Sequence, residues 1–315
     1  MFIMKEVYTI EDLRRWPEVT ADVTAGMTPP FRLAVLGDPV AHSASPQMHN
    51  AALEFCGVAA RYTRLHISAE ELPEALRLLP HLGFIGVNCT IPHKVAALGL
   101  MDRVDDHARR IGVVNTVLVE GEELVGFNTD GPGLVRALRS EFGVDLRDLR
   151  VIVLGAGGGA GRAIAMQCGI EQCARLVLVN RTLEKSRQLA AELQPLFRGP
   201  RVFGPGERLE VAPWVDEILR NQLERTDLVI NCTSLGMKPG DSSPLPSAIL
   251  QPHLMIYDTI YTSHRTKLMH AAEEAGARSA NGLSMLLHQG ALSFEIWFGR
   301  DAPVEAMRQA LSARA

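Results

Sequence analysis

The feature that most constrains this 315-residue chain is a run of glycines placed directly after a short apolar stretch. Val151-Ile152-Val153-Leu154 leads into Gly155-Ala156-Gly157-Gly158-Gly159-Ala160-Gly161-Arg162. The apolar stretch reads as a buried strand, and the chain must then turn sharply and start a helix. Gly155, Gly157 and Ala160 match the G-x-G-x-x-G/A pattern of a dinucleotide-binding turn. The first glycine permits the tight turn. The second lets a pyrophosphate approach the backbone, and the third small residue lets helix and strand pack closely. The helix start offers N–H groups and a positive dipole end to phosphates. The bland alternative is a Gly-rich turn in an ordinary sheet. The apolar strand before the turn and the helical pattern after it favour the dinucleotide.

The following strand, residues 176–179, discriminates between dinucleotides. An NAD site carries an acid at this strand tip, which accepts from the ribose 2′-OH. Here the tip reads Asn180-Arg181-Thr182, with Lys185 and Arg187 beyond it. A guanidinium binds a 2′-phosphate bidentately, whereas a carboxylate repels it. The tip therefore favours NADP over NAD.

The length suggests two domains of about 150 residues each. Acidic residues outnumber basic ones, 36 to 32, so nothing advertises a nucleic acid or an anionic membrane as partner. Residues 151–170 are apolar enough to mimic a membrane span, yet they hold six glycines, Arg162 and Gln167. The acids Glu6, Glu11 and Asp12 argue against a targeting segment. Five cysteines in apolar stretches suit a reducing cytoplasm, which is the expected location.

Residues 1–30 read as an N-terminal extension, with a short helix over 10–16 and a linker over 20–30. Strands are expected at 33–36, 61–67 and 84–89, helices at 46–56 and 69–79, and a hairpin over 113–119 and 124–127. A helix over 131–142 precedes a second series, with strands at 151–154, 176–179, 228–230 and 255–257 and a helix at 183–193. Strands alternating with helices imply a mostly parallel sheet covered on both faces. Residues 195–214 are rich in Pro and Gly and read as a surface excursion.

The first half carries short polar clusters at predicted strand ends, where an open α/β sheet binds its ligands. They are His42-Ser43-Ala44-Ser45-Pro46, Asn88-Cys89-Thr90-Ile91-Pro92-His93-Lys94, Val114-Asn115-Thr116 and Asn128-Thr129-Asp130. Hydroxyls, amides, one lysine and one aspartate suit a small polyhydroxylated carboxylic acid. His42, His93 and His288 flank these motifs without a consistent metal partner, so no metal is expected.

With the Gly-rich turn, Asn180-Arg181-Thr182, Asn231-Cys232-Thr233-Ser234-Leu235-Gly236-Met237 and the late run from Gly282 to Gln289, these clusters resemble the shikimate dehydrogenase family. The resemblance runs in order from about Phe31 to the C-terminus. It implies an α/β fold with an N-terminal substrate domain, residues 31–130, and a Rossmann-like NADP-binding domain, residues 131–282. A C-terminal helix, within 283–315, returns to the first domain.

The resemblance further implies that Ser43 and Ser45 bind the substrate carboxylate, and that Thr90, Asn115, Tyr261 and Gln289 hydrogen-bond the substrate. Lys94 and Asp130 are implied as the catalytic pair, both touching substrate. The implied cofactor residues are Gly155, Ala156, Gly157, Gly158, Gly159 and Ala160 in the turn. Asn180, Arg181, Thr182 and Lys185 surround the ribose phosphate, and Thr233, Ser234 and Met237 lie along the dinucleotide. Thr259 and Gly282 approach the nicotinamide end, and Asp106 matches a position linked to cofactor.

A lysine is poorly placed at a helix start, which favours function over a surface role for Lys94, whereas Asp130 also suits a helix N-cap. The chain departs from the family pattern by one extra small residue in the turn, which leaves the register of the phosphate-contacting amides open between Gly157 and Gly161. It also has Ser263 where the family often has proline. The expected activity is reversible, NADP-dependent reduction of 3-dehydroshikimate, on the way to chorismate and the aromatic amino acids. The expected partner is a small molecule, in a monomer or homodimer. One alternative is an NAD-preferring quinate/shikimate dehydrogenase, which an acid after the second strand would support. Another is a catalytically silent NADP-binding regulatory module, which would lack Lys94 or Asp130.

Overall fold

The computed structural model describes residues 5–21, 29–198, 207–238, 240–261 and 265–313. The chain divides into two units, Met1–Thr129 with Leu287–Arg314, and Asp130–Leu286.

The first unit contains β1 (Tyr8–Thr9), α1 (Ile10–Arg14), α2 (Trp16–Val19), β2 (Phe31–Gly37), α3 (Ser45–Phe55), β3 (Arg61–His66), α4 (Leu72–His81) and β4 (Gly86–Cys89). It continues with α5 (Lys94–Leu98), β5 (Arg103–Val104), α6 (Asp106–Ile111), β6 (Thr116–Glu120) and β7 (Glu123–Phe127). Its sheet runs β1-β3-β2-β4-β6-β7-β5. The pairs β4–β6 and β6–β7 are antiparallel, and the remaining pairs are parallel. The central strand β2 carries an unbroken apolar run, Leu33 to Leu36, because helices or loops cover both of its faces. In α4 the buried residues Leu72, Ala75, Leu76 and Leu79 form one stripe at helical spacing, and that stripe packs into the sheet core.

The N-terminal segment differs from its reading as an extension. Tyr8 and Thr9 pair with Leu65 and His66, adding a parallel edge to β3. Tyr8, Ile10, Leu13 and Trp16 are buried in the core of this unit. Trp16 packs edge-on against Tyr8 at 5.1 Å and lies 5.5 Å from Phe84. The helix expected over 10–16 is two short helices, with Pro17 in the first turn of the second. A two-residue strand leaves no alternation to read, and its aromatic partners lie far along the chain. Residues 22–28 of the expected linker lie outside the described residues.

The second unit begins with α7 (Asp130–Phe142), β8 (Arg150–Leu154), α8 (Gly159–Ile170), β9 (Arg175–Val179), α9 (Leu183–Phe197), β10 (Leu209–Ala212) and α10 (Asp216–Leu223). It closes with β11 (Leu228–Asn231), β12 (Met255–Asp258), α11 (Lys267–Glu274) and β13 (Arg278–Asn281). Its sheet is wholly parallel, in the order β10-β9-β8-β11-β12-β13. Numbered within the unit this is 3-2-1-4-5-6, the doubly wound Rossmann order, in which ligands bind beyond the strand ends at the reversal point beside the first strand. The stretch 195–214, expected as a surface excursion, contributes the edge strand β10, paired in register with β9. Part of that stretch, residues 199–206, lies outside the described residues.

Helix α12 (Leu283–Phe298) carries the chain back to the first unit, where α13 (Val304–Ser312) ends the fold. Among the described residues no helix is long and apolar enough to cross a membrane.

Burial of Trp16 generates a prediction. Replacement by alanine should cost the first unit about 3–5 kcal/mol, because the cavity cannot collapse against three other rings. Chemical denaturation followed by far-UV circular dichroism checks this. A loss under about 1 kcal/mol would mean the segment is only loosely attached.

Candidate active site

In the first unit the polar clusters gather at the ends of strands. Ser43 and Ser45 sit where the loop after β2 enters α3, and the Ser45 N–H donates to Ser43 Oγ at 3.3 Å. Arg64 from β3 anchors this loop, donating through Nε and Nη2 to the Ser43 carbonyl at 3.1 and 2.8 Å. Thr90 follows β4, and its N–H continues the ladder to the Leu36 carbonyl at 2.8 Å. His93 is buried, with Nε2 2.8 Å from the Ile67 carbonyl, and burial lowers its pKa. Lys94 is the first residue of α5, and its carbonyl accepts the Val114 N–H at 3.0 Å.

Asn115 lies at the centre of the cluster and is almost fully buried. Its Oδ1 accepts the Thr129 N–H at 2.7 Å, and its Nδ2 donates to Thr129 Oγ1 at 2.9 Å. The same Nδ2 faces Gln289 Oε1 at 3.4 Å. Asn115 and Gln289, expected to share one ligand and 174 positions apart, are therefore neighbours. Asn88 was quoted only as part of a motif. It is a buried hub that accepts from Tyr62 Oη at 2.8 Å. Burial of a polar side chain at a strand end is the signal for such a residue, and sequence alone does not carry it.

Asp130 and Tyr261 belong to the second unit. Asp130 is buried as the first residue of α7, and Tyr261 is partly exposed. Ser263 lies outside the described residues.

The Gly-rich turn builds the second half-site. Gly155 takes φ 81°, a left-handed conformation that disfavours any side chain. Its N–H and that of Ala156 both donate to the Val179 carbonyl, at 2.8 and 3.2 Å, which ties the turn to β9. The Gly158 N–H closes the turn on the Gly155 carbonyl at 3.0 Å, and α8 begins at Gly159. The close helix–strand approach expected at Ala160 falls instead on Gly161. A Cβ there would lie 2.2 Å from the Gly155 carbonyl oxygen. The extra residue is absorbed in the exposed stretch 158–160. By helix geometry the N–H groups of Gly159, Ala160 and Gly161 have no acceptor within α8. They are the donors a phosphate would meet.

Gly157 packs beneath the strand tip, where a Cβ would come within 2.6 Å of both Asn180 Nδ2 and Lys185 Cβ. Asn180 Nδ2 and the Lys185 N–H both donate to the Thr182 carbonyl at 3.1 Å, holding the tip in one shape. Arg181, Thr182 and Lys185 are exposed around it. A concavity of about 210 Å³ opens here between Gly157, Lys185, Gln188 and Arg162, the last held bidentately by Glu192. A glycine cradle with cations at its rim fits a phosphorylated dinucleotide.

Beyond the reversal point, Asn231 and Asp258 form a buried pair missing from the expected set. Asp258 accepts from Asn231 Nδ2 at 3.0 Å and Thr266 Oγ1 at 2.7 Å, and burial raises its pKa. Asn231 Oδ1 accepts from Thr233 Oγ1 at 2.8 Å, and its carbonyl accepts from Thr259 Oγ1 at 2.8 Å. Thr233 and Thr259 are thus set by one residue. Gly282 packs directly on the Thr259 carbonyl. Ser234 and Met237 belong to the loop after β11, where Met237 is exposed. Asp106 departs from this grouping, since it lies in the first unit, exposed on the first turn of α6.

The register of the turn generates a second prediction. Gly161→Ala should weaken binding of NADPH at least about tenfold by pushing α8 off β8, whereas Ala160→Gly should change it less than about threefold. Fluorescence titration with NADPH measures both. The reverse ranking would return the close approach to Ala160.

Comparison with known proteins identifies the family. Residues 35–117 match the family model described as "Shikimate dehydrogenase substrate binding domain". Residues 282–311 match "Shikimate 5'-dehydrogenase C-terminal domain". The chain is 44% identical to the "Shikimate dehydrogenase (NADP(+))" of Symbiobacterium thermophilum, over 89% of this chain and 93% of the relative. Among solved structures, a shikimate dehydrogenase in complex with NADP+ superposes with a TM-score of 0.81 at 33% identity, covering 92% of this chain and 96% of the other. The Thermus thermophilus shikimate 5-dehydrogenase in complex with NADP(H) and shikimate does so with a TM-score of 0.78 at 35% identity, covering 90% of this chain and 100% of the other. With a doubly wound second unit, a polar cluster on the first and a relative matched over nearly its full length, the chain belongs to the shikimate dehydrogenase family.

Proposed function

We propose that this chain catalyses the reversible, NADP-dependent reduction of 3-dehydroshikimate to shikimate, within the cytoplasmic route to chorismate and the aromatic amino acids. The observation that carries the reading is the cationic strand tip, Asn180-Arg181-Thr182 with Lys185, packed against Gly157 of the dinucleotide turn in a chain of this family. The substrate half is the first unit, including its N-terminal segment and the C-terminal return from Leu287, and the cofactor half is the second unit, Asp130–Leu286. The enzyme works as a monomer or homodimer.

When bound, NADPH would supply a hydride to the carbonyl carbon of the substrate and leave as NADP+. Negative charge then develops on the oxygen and needs a proton. Lys94 is the donor, and Asp130 holds and orients its ammonium. Ser43 and Ser45 offer hydroxyls to the substrate carboxylate, while Thr90, Asn115, Tyr261 and Gln289 bind its ring oxygens. Residues 155–160 form the cradle of the pyrophosphate, which the free amides at the start of α8, Gly159 to Gly161, would hold, and Asn180, Arg181, Thr182 and Lys185 hold the 2′-phosphate. Thr233, Ser234, Met237, Thr259 and Gly282 line the path toward the nicotinamide. Asp106, on the first turn of α6, joins the cofactor set by its match to the family pattern.

An activity assay and two substitutions test the reading. Purified protein assayed with shikimate or quinate against NADP+ or NAD+ should turn over shikimate with NADP+ fastest. Fastest turnover of quinate with NAD+ would select the other dehydrogenase type, and no turnover in any combination would select a silent module. Lys94→Ala should lower kcat by roughly 10²–10⁴-fold with NADPH binding retained. Arg181→Ala should weaken NADPH by about 10–100-fold while NADH binding changes little, since it removes a charged hydrogen bond to the 2′-phosphate. Equal losses for both cofactors would remove Arg181 from that role.

A further inference from the structure

Arg64 follows Tyr62 by two places on β3, so the two side chains leave the strand on the same face. Both are buried, Arg64 at 8% exposure and Tyr62 at 2%. A guanidinium keeps its charge even when buried, and a buried charge is costly unless it is hydrogen-bonded. Arg64 directs its donors at the turn that opens α3. Its Nε and Nη2 both reach the Ser43 carbonyl, at 3.1 and 2.8 Å. Gln47, in the amide orientation that satisfies both of its ends, accepts from Nη2 at 3.1 Å and donates to the Ala44 carbonyl at 2.9 Å. The guanidinium thus fastens two successive carbonyls of the turn, one directly and one through Gln47.

These bonds bring a unit positive charge against the turn. A trans peptide sets its N–H opposite its C=O. With the Ser43 carbonyl on the guanidinium, the Ala44 N–H faces away from Arg64, and the cation polarises that peptide so that its N–H is a stronger donor. The same turn carries the positive end of the dipole of α3, an 11-residue helix. The charge also reaches the Ser45 side. Burial pushes the Tyr62 phenol well above its ordinary range, and a bond with Ser45 and the field of Arg64 both oppose that rise. The hydroxyls of Ser43 and Ser45 can donate to a carboxylate or to a neutral ester alike. Preference for the charged form needs a charge nearby.

We infer that Arg64 is a positioning residue that makes the Ser43–Ser45 turn select a carboxylate over an uncharged group, by holding the turn in one shape and setting a fixed positive charge against it. The carboxylate does not react, so this attraction is the same in the ground state and the transition state, and it acts on KM rather than kcat. The inference rests on the activity proposed above, and its failure can be told from failure of that reading. If the parent protein neither binds nor turns over shikimate, the activity is wrong. If the parent turns over shikimate and its preference for acid over ester survives removal of the Arg64 charge, only this inference falls.

The test uses the full chain. Kd by calorimetry for shikimate and for its methyl ester, together with steady-state constants, is compared for the parent, Arg64→Gln, Arg64→Lys and Gln47→Glu. Arg64→Gln keeps a donor in the place of the guanidinium and removes the charge. It should raise the Kd and KM for shikimate about tenfold, while kcat and the Kd for the ester stay within about twofold. Arg64→Lys keeps the charge and should keep the preference of the parent for the acid. Gln47→Glu sets a carboxylate against Arg64 Nη2 and cancels its charge with the arginine still in place, so it should lower that preference in the same direction as Arg64→Gln. Should Arg64→Gln fail to fold, Gln47→Glu decides alone. An acid-to-ester affinity ratio within about twofold of the parent, whether both ligands are kept or both are weakened alike, would leave Arg64 a purely structural part and overturn the inference.

Discussion

The carbonyl oxygen of Gly155 is the point on which the second unit turns. It accepts the Gly158 N–H, and it stands where a side chain on Gly161 would have to pass. Because Gly161 has no side chain, α8 can begin directly over β8, and its first-turn N–H groups point out past the strand end. Because Gly155 adopts a left-handed conformation, its own N–H can reach back to Val179 and fasten β9 alongside. The strand tip at Asn180 then falls against Gly157, and cationic side chains come to surround the place a ribose phosphate would occupy. Phosphate donors and 2′-phosphate readers are consequences of one close backbone approach.

The two units meet the cost of polar groups in different ways. In the second, the cations at the rim stay in water and need no buried partner. In the first, Asn88, Asn115, Thr116, Thr129 and Ser293 are withdrawn from solvent, and an unpaired amide there would cost about 1–3 kcal/mol. They satisfy one another, and their mutual bonding leaves few ways to arrange the donors. A cross-bonded buried cluster in this half and exposed cations in the other suit a small ring bearing several oxygens and a long, highly charged dinucleotide.

Most of this architecture was legible in the sequence. The runs Val151 to Leu154 and Leu176 to Val179 could only be buried strands, and both are. The tip Asn180-Arg181-Thr182 lies where its spacing from the turn put it. The parts that escaped are those in which distance along the chain conceals contact. The aromatic packing of Trp16 with Tyr8, Phe31 and Phe84 has no local signature, so an integral part of the first core read as an appendage. Strand β10 is four residues long and interrupted by Glu210, and it follows a stretch that reads as loop. The close approach at Gly161 rather than Ala160 depends on where α8 starts, which pattern matching on a lengthened turn does not decide. Asn231 and Asp258 could be seen only once β11 and β12 were neighbours.

The central claim is that hydride moves between NADP and the ring carbon of shikimate, and isotope transfer tests it most directly. 3-Dehydroshikimate incubated with the protein and NADPH carrying deuterium at both positions of the reactive nicotinamide carbon should yield shikimate enriched by a single deuterium on carbon, detected by mass spectrometry. Shikimate without label, or no shikimate at all while the protein binds NADPH tightly, would contradict the account.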